Sequence, residues 1–108
     1  MIDWTRVQEL RLEVGPDDFG DIVSIFLKEA DGVVARLTRL RDARSIECDL
    51  HFLKGSALNL GFSEFAQICQ AGERRAASGA ADVEMQAVVE TYRRSRSTFL
   101  GGIKAMAA

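Results

Sequence analysis

The sequence predicts an all-α protein, an antiparallel four-helix bundle made by the second to fifth helices, with a short additional helix at the N-terminus. Every long segment repeats its apolar residues with helical period. No stretch alternates polar and apolar residues for long enough to form a strand. The breaks between segments are short, which favours antiparallel neighbours. With 108 residues and no linker or repeat, residues 1–108 are expected to form one domain.

The first two helices are separated by the helix-breaking pair Gly15 and Pro16. Asp3 is a suitable N-cap for a first helix that ends near Val14. Pro16 suits the first position of a second helix, which we expect to extend to Arg41. Basic side chains, Arg44 among them, crowd that helix's C-terminal end, where its dipole favours cations. The second helix carries one continuous apolar stripe: Phe19, Ile22, Val23, Phe26, Ala30, Val33, Val34, Leu37 and Leu40.

The remaining three helices are separated by glycine or capping residues. Gly61 suits the left-handed position after the third helix. Ser63 is the expected N-cap of the fourth helix, and Gly79 ends it. We expect the third helix to start between Asp42 and Ser45 and to end at Gly61. The fourth helix is expected from Ser63 to Ser78, and the fifth is expected to start after Asp82.

Composition and charge disfavour several classes of protein. The 14 Lys and Arg residues against 16 Asp and Glu residues give a net charge of −2, so nucleic acid is not an expected partner. No apolar run approaches the ~18 residues of a membrane span, and the first ten residues lack the apolar core of a signal peptide. Cys48 and Cys69 have no metal-ligand spacing. We therefore expect a cytoplasmic monomer with free thiols, no membrane segment and no bound metal.

Helical phase places the only histidine, His51, on the solvent side of the third helix. The centre of the core-facing side lies roughly 120° away at 3.6 residues per turn. That core-facing side consists of Ile46, Leu50, Leu53, Ala57 and Leu60. The histidine's side is shared by Glu47, Lys54, Gly55 and Leu58.

An exposed neutral imidazole is a nucleophile near pH 7, because its ordinary pKa is about 6.5. The chain has no second histidine to act as a base, no Gly-x-Ser-x-Gly turn and no glycine-rich phosphate loop. A phosphoryl group on His51 would have its charge balanced by Lys54. Gly55 costs about 1 kcal/mol within a helix, so we interpret it as room for a partner to approach closely.

The stretch HFLKGSALNLGF at positions 51–62 resembles the motif of histidine-containing phosphotransfer (HPt) domains. That motif reads His-x-Leu-Lys-Gly-Ser, a few residues, then Asn-Leu-Gly. The order and lengths of the five expected helices resemble the family over nearly the whole chain. The motif positions matched are His51, Leu53, Lys54, Gly55, Ser56, Asn59, Leu60 and Gly61.

The resemblance implies a phosphoryl carrier rather than an enzyme. His51 would accept a phosphoryl group on Nε2 from the phospho-aspartate of a receiver domain and pass it to another receiver. Mg²⁺ would be held by the receiver, and the chain would bind no ATP and no cofactor. Partners would be response-regulator receivers and a hybrid histidine kinase.

Other residues near the motif are expected to pack the bundle or to contact the partner. Ser56 permits close helix packing, while Asn59 and Gly61 finish the helix. Phe52 is bulkier than the resemblance leads us to expect, and we predict that it packs against the second or fourth helix. The candidates for docking a partner are Leu58, Glu47, Ile25 and Gly32.

The sequence also bears on three other functions. A helical docking module could bind and modulate a receiver or kinase without carrying phosphate. A hydrolytic or metal-dependent enzyme would need a second base or a cluster of metal ligands, and the sequence indicates neither. A kinase dimerisation domain would have an acidic residue directly after the histidine and then a Thr-Pro pair, whereas Phe52 follows His51 here.

Overall fold

The computed structural model describes residues 2–39 and 42–107, and it describes residue 107 by its backbone alone. It confirms the all-α fold: the second to fifth helices form a four-helix bundle, and the first packs beside it. Within those ranges there is no strand, and Ile2 and Phe62 form an isolated antiparallel bridge. The bundle is elongated, about 45 Å by 20 Å by 19 Å. The helices are α1 (Trp4–Val14), α2 (Pro16–Leu37), α3 (Ala43–Leu60), α4 (Ser63–Ala77) and α5 (Met85–Ala107).

Helix α1 begins and α2 follows as the capping residues predict. The Asp3 carboxylate accepts a hydrogen bond from the backbone N–H of Arg6 at 3.2 Å, which satisfies one of the free donors at the start of α1. Gly15 separates the two helices with a φ of 90°, and Pro16 begins α2. Local capping chemistry therefore determines where the chain turns at this end.

Helix α2 ends at Leu37, so the predicted extension to Arg41 is wrong. Thr38 and Arg39 form a turn, and Asp42 already caps α3 by accepting from the N–H of Ser45 at 3.0 Å. Because α2 and α3 are antiparallel neighbours, α2 has to end before the chain reverses direction. The predicted core residue Leu40 and the predicted last residue of the helix, Arg41, lie outside the described residues.

The link between α3 and α4 depends on Gly61. Its φ is +80°, and an added Cβ would lie 2.6 Å from the carbonyl oxygen of Asp3. The Gly61 carbonyl accepts a hydrogen bond from the Asp3 N–H at 2.7 Å, which ties the start of the chain to this turn. A side chain here is therefore excluded both by backbone conformation and by space.

The N-cap of α4 is Phe62, so the prediction that Ser63 caps this helix is wrong. The Phe62 carbonyl accepts from Ala66 N–H at 2.8 Å, and its ring is only 1% exposed. That ring packs edge-on against Phe99 of α5, with centroids 5.2 Å apart. Burial of this aromatic ring, rather than a capping hydroxyl, sets where α4 begins.

Long polar side chains bridge α5 and α2. Tyr92 Oη donates to Asp31 at 2.6 Å, and the Arg96 guanidinium pairs with both Asp31 oxygens at 3.0 Å. Helix α1 reaches α5 through Trp4, whose ring stacks on Phe99 at 6.2 Å. An added Cβ at Gly102 would overlap the Trp4 ring. These contacts occupy surfaces of α1, α2 and α5 and leave the outer face of α3 uncovered.

We expect Gly61→Ala to lower the free energy of unfolding by about 1–3 kcal/mol, because alanine would be strained at this φ and would contact Asp3. Gly20→Ala is the matched control. Gly20 is helical and its added Cβ meets nothing within 4 Å, so this variant is expected to gain up to about 1 kcal/mol. Urea denaturation measures both. Equal stabilities would contradict the close approach at Gly61.

Candidate functional site

Helix α3 places its residues as its helical phase predicts. The core-facing residues Ile46, Leu50, Leu53, Ala57 and Leu60 are each at most 1% exposed. The side chain of His51, on the other side of the helix, is 69% exposed. The imidazole is therefore accessible to another protein.

The His51 ring is held by Glu73 of α4. Its Nδ1 lies 2.8 Å from Glu73 Oε2. Lys54 Nζ lies 2.9 Å from the other carboxylate oxygen, Oε1, and forms an ion pair with it. One carboxylate thus contacts both polar groups that the motif places on successive turns of α3.

This contact fixes which ring nitrogen of His51 is free. An ionised carboxylate can only accept hydrogen bonds, so Nδ1 carries the proton that Glu73 accepts. In the neutral ring, Nε2 then has the lone pair. Because Nδ1 faces α4, Nε2 lies on the far side of an exposed ring. The geometry therefore orients the nucleophilic nitrogen away from the bundle.

Glu73 is ionised at neutral pH. Its side chain is only 18% exposed, and burial alone would raise its pKa. The Lys54 cation and the hydrogen bond with His51 outweigh burial and hold the pKa of Glu73 below its ordinary value. The carboxylate is thus an anion beside the imidazole at neutral pH.

Glu73 is a site residue that the sequence interpretation missed. His51 lies nine residues before the end of α3 at Leu60, and Glu73 lies ten residues after the start of α4 at Ser63. Two antiparallel helices joined by a tight turn place such positions at the same height. The similar distance of the two residues from the α3–α4 turn could have indicated this contact, but only if α3 had been aligned with α4 rather than considered alone.

The remaining motif residues divide between the surface and the interior. Gly55 is exposed, and an added Cβ there would meet nothing within 4 Å, so packing within the chain does not require glycine. Ser56 is 7% exposed and lies in the interior. The Asn59 carbonyl accepts from Arg6 Nε at 3.2 Å, and Gly61 is the left-handed C-cap of α3. These last three residues support the helix and its end.

The candidate docking residues lie at the surface to different degrees. Leu58 is 58% exposed and Ile25 of α2 is 55% exposed. Gly32 is also exposed, whereas Glu47 is half-buried. Phe52 is 39% exposed, so most of its surface is covered, and its packing against α2 or α4 stays a prediction. It follows His51 directly and adds a partly exposed apolar side chain next to it in the sequence.

A cleft of about 480 Å³ opens beside the imidazole. Three of its lining residues, Arg44, Glu47 and Glu73, are charged, so the cleft presents both positive and negative side chains beside the ring. The cleft is lined by Arg44, Glu47, Cys48, His51 and Glu73.

Cys69 of α4 lies one turn before Glu73 and is fully buried. Burial, and then the charge of Glu73, raise the pKa of its thiol to about 12. That thiol is therefore protonated and inert.

A family model described as the Hpt domain matches residues 21–101, which are 81 of the 108 residues. The chain belongs to the Hpt domain family. The matched range contains His51, Lys54 and Gly55, together with nearly all of α2 to α5. A search of curated proteins gave no match.

Membership makes this chain a histidine phosphotransfer module of phosphorelay signalling. Hpt domains carry phosphoryl groups and interact with receiver domains and kinases, and they are not enzymes of the ordinary kind. No described helix of this chain is both long and apolar enough to cross a membrane. The described residues also contain no group of three or more His, Cys, Asp or Glu side chains arranged to hold a metal ion.

The lowered pKa of Glu73 predicts a pH-dependent contribution to stability. A depressed carboxylate pKa stabilises the fold above the unfolded value, about 4.3, and that stability is lost as pH falls through the folded pKa. We expect wild type to exceed Glu73→Gln in unfolding free energy at pH 7, by a margin that shrinks below about pH 4.3. Urea denaturation at several pH values between about 3 and 7 measures this difference in unfolding free energy.

Glu64→Gln serves as the control, because it removes one negative charge and an exposed ion pair, that with Arg94, from the same helix without touching the imidazole. A margin between wild type and Glu73→Gln that stays constant over the whole pH range would contradict the ion pairing described here.

Proposed function

We propose that this chain is a phosphoryl carrier in a multistep His–Asp phosphorelay, with His51 as the acceptor. The observation that supports this is the orientation of the ring: Nδ1 is bound to Glu73, and the side chain is 69% exposed. The Nε2 lone pair would attack the phosphorus of a receiver's phospho-aspartate. The N–P bond forms as the bond from phosphorus to the aspartyl oxygen breaks, and the aspartate leaves as a carboxylate. Onward transfer to a second receiver is the reverse of this step.

In this proposal, Glu73 and Lys54 have complementary charges for the transfer. Phosphorylation at Nε2 leaves the Nδ1 proton in place, so the ring becomes cationic and its hydrogen bond to the Glu73 carboxylate strengthens. Lys54 lies one turn from His51 and can redirect its ammonium from Glu73 to the phosphoryl oxygens, which carry more charge than a carboxylate. The chain supplies position and charge, while the receiver supplies Mg²⁺.

The wider features of the proposal follow from that role. The chain neither binds ATP nor phosphorylates itself, so a hybrid histidine kinase and its receiver form the upstream source of phosphate. It works as a cytoplasmic monomer and binds no nucleic acid. Phe52, Leu58, Gly55 and the outer side of α2 at Ile25 and Gly32 form the surface on which a receiver docks, with Glu47 at its edge.

The acceptor is tested with a receiver phosphorylated with ³²P. We expect label to pass to the wild-type chain, to be labile in acid and stable in alkali, and to be absent from His51→Gln. Circular dichroism of His51→Gln provides the control for folding, which an exposed side chain should not affect. Label on the mutant would contradict the proposal, since the chain has no second histidine. Full binding and full signalling by the mutant would instead support a docking module that carries no phosphate.

Substitution at Gly55 tests the close approach of the partner. Gly55→Leu places a branched side chain on the exposed surface one turn from His51. We expect transfer to slow roughly tenfold or more, which corresponds to a loss of about 1.4 kcal/mol in docking free energy. Gly55→Ala is the control, because it improves helix propensity similarly while adding little bulk. Both variants are expected to be at least as stable as wild type. Normal transfer by Gly55→Leu would show that no partner approaches this position closely.

A further inference from the structure

Arg44 occupies an unfavourable position in α3. The sequence suggested that it belongs to the basic C-terminal end of the second helix, but α2 ends at Leu37 and Arg44 lies in the first turn of α3. A cation at a helix N-terminus is disfavoured by the dipole, by about 0.3–1 kcal/mol. That turn contains no acidic residue after the cap Asp42, whose carboxylate binds the Ser45 N–H, and the Arg44 side chain forms no hydrogen bond or ion pair with any described residue. Local stability therefore does not account for this arginine.

The neighbouring arginine has a clear structural role, and the contrast is informative. Arg36 of α2 donates two hydrogen bonds, at 2.9 Å and 2.6 Å, to Asp49, whose side chain is only 10% exposed. This pair fastens α2 to α3 just before His51 in the sequence. Arg36 and Arg44 line one small cleft together, and Arg36 pairs with Asp49 whereas Arg44 pairs with no acidic side chain among the described residues. Arg44 is thus available for an anion from outside the chain.

Arg44 also lines the larger cleft beside the imidazole, together with Glu47, Cys48, His51 and Glu73. In that cleft Glu73 is already paired with Lys54 and hydrogen-bonded to His51. Glu47 forms no ion pair with Arg44. Arg44 and Glu47 are therefore the two charged lining residues that form no ion pair with a described residue, and Arg44 is the cation of the two.

The position of Arg44 suits contact with a docked protein better than contact with the phosphoryl group. Seven residues separate it from His51, about 10 Å along the helix axis at 1.5 Å per residue. Helical side chains also lean towards the N-terminus, so Arg44 leans away from His51. It therefore reaches the far rim of the cleft, where the edge of a partner centred on His51 would lie.

We propose that Arg44 pairs with an acidic side chain of the receiver that docks at His51, and so contributes to the rate and choice of partner. This inference rests on the proposed function for the identity of the partner. Charges at the rim of an interface mainly change the association rate and its salt dependence, because they steer the encounter without being fully desolvated. Arg44 is accordingly a docking residue that leaves the chemistry at Nε2 unchanged.

The test compares Arg44→Ala with Arg93→Ala. Arg93 is an exposed arginine on α5 with no ion pair to a described residue, so its removal changes net charge equally at a distance from His51. Transfer from a phospho-receiver is measured under second-order conditions at low and high salt. We expect Arg44→Ala to slow transfer roughly three- to tenfold at low salt and to flatten its salt dependence, with Arg93→Ala close to wild type.

Two further measurements separate this inference from the proposed function. The lifetime of phosphohistidine formed with phosphoramidate, which needs no receiver, is expected to be the same in Arg44→Ala and wild type. Titration with the unphosphorylated receiver is expected to show weaker, less salt-sensitive binding by Arg44→Ala. Unchanged transfer and binding would overturn the role of Arg44 while His51 still takes label. A shortened lifetime would overturn it in favour of a phosphoryl contact. If wild type takes no label, the proposed function fails, and the titration alone decides the role of Arg44.

Discussion

The close packing of α4 on α3 is the constraint on which the site depends. At Gly72 an added Cβ would lie 2.8 Å from Leu50 Cδ1, so a larger residue would force the buried Leu50 side chain to shift, and glycine favours this close approach of the two helices. Leu50 directly precedes His51, and Gly72 directly precedes Glu73. The same contact that fills the core therefore brings the next residue on each helix within hydrogen-bonding distance at the surface. A wider helix spacing would leave the imidazole without its carboxylate.

Electrostatics explains why one carboxylate can serve both neighbours. Burial alone would favour the protonated form of Glu73, yet the nearby cation and the ring N–H outweigh burial and lower its pKa. The resulting anion attracts a cationic ring and repels a phosphoryl group, while Lys54 offsets part of that repulsion. The balance of these charges suits a phosphoryl group that is accepted and then transferred rather than retained.

The rest of the fold supports this surface by leaving it uncovered. Helix α1 contacts α5 through Trp4 and contacts the α3–α4 turn through Asp3. The Asp31 carboxylate bridges α2 and α5, where burial raises the pKa of Tyr92 and keeps its hydroxyl a hydrogen-bond donor. No described residue packs over the added-Cβ position at Gly55 or at Gly32. The bundle thus exposes the motif on a rigid scaffold and leaves the partner to complete its surroundings.

The sequence by itself determined the five helices, the buried face of α3 and the exposure of His51, because helical period and capping are local properties. It misplaced the end of α2 and the cap of α4, where chain reversal and the burial of Phe62 override local preference. Only the tertiary structure decided that Glu73 holds the imidazole and that the Arg44 side chain pairs with no described residue. Both depend on the distance between side chains from different turns and helices, which the packing of α3 and α4 fixes and no single helix can specify.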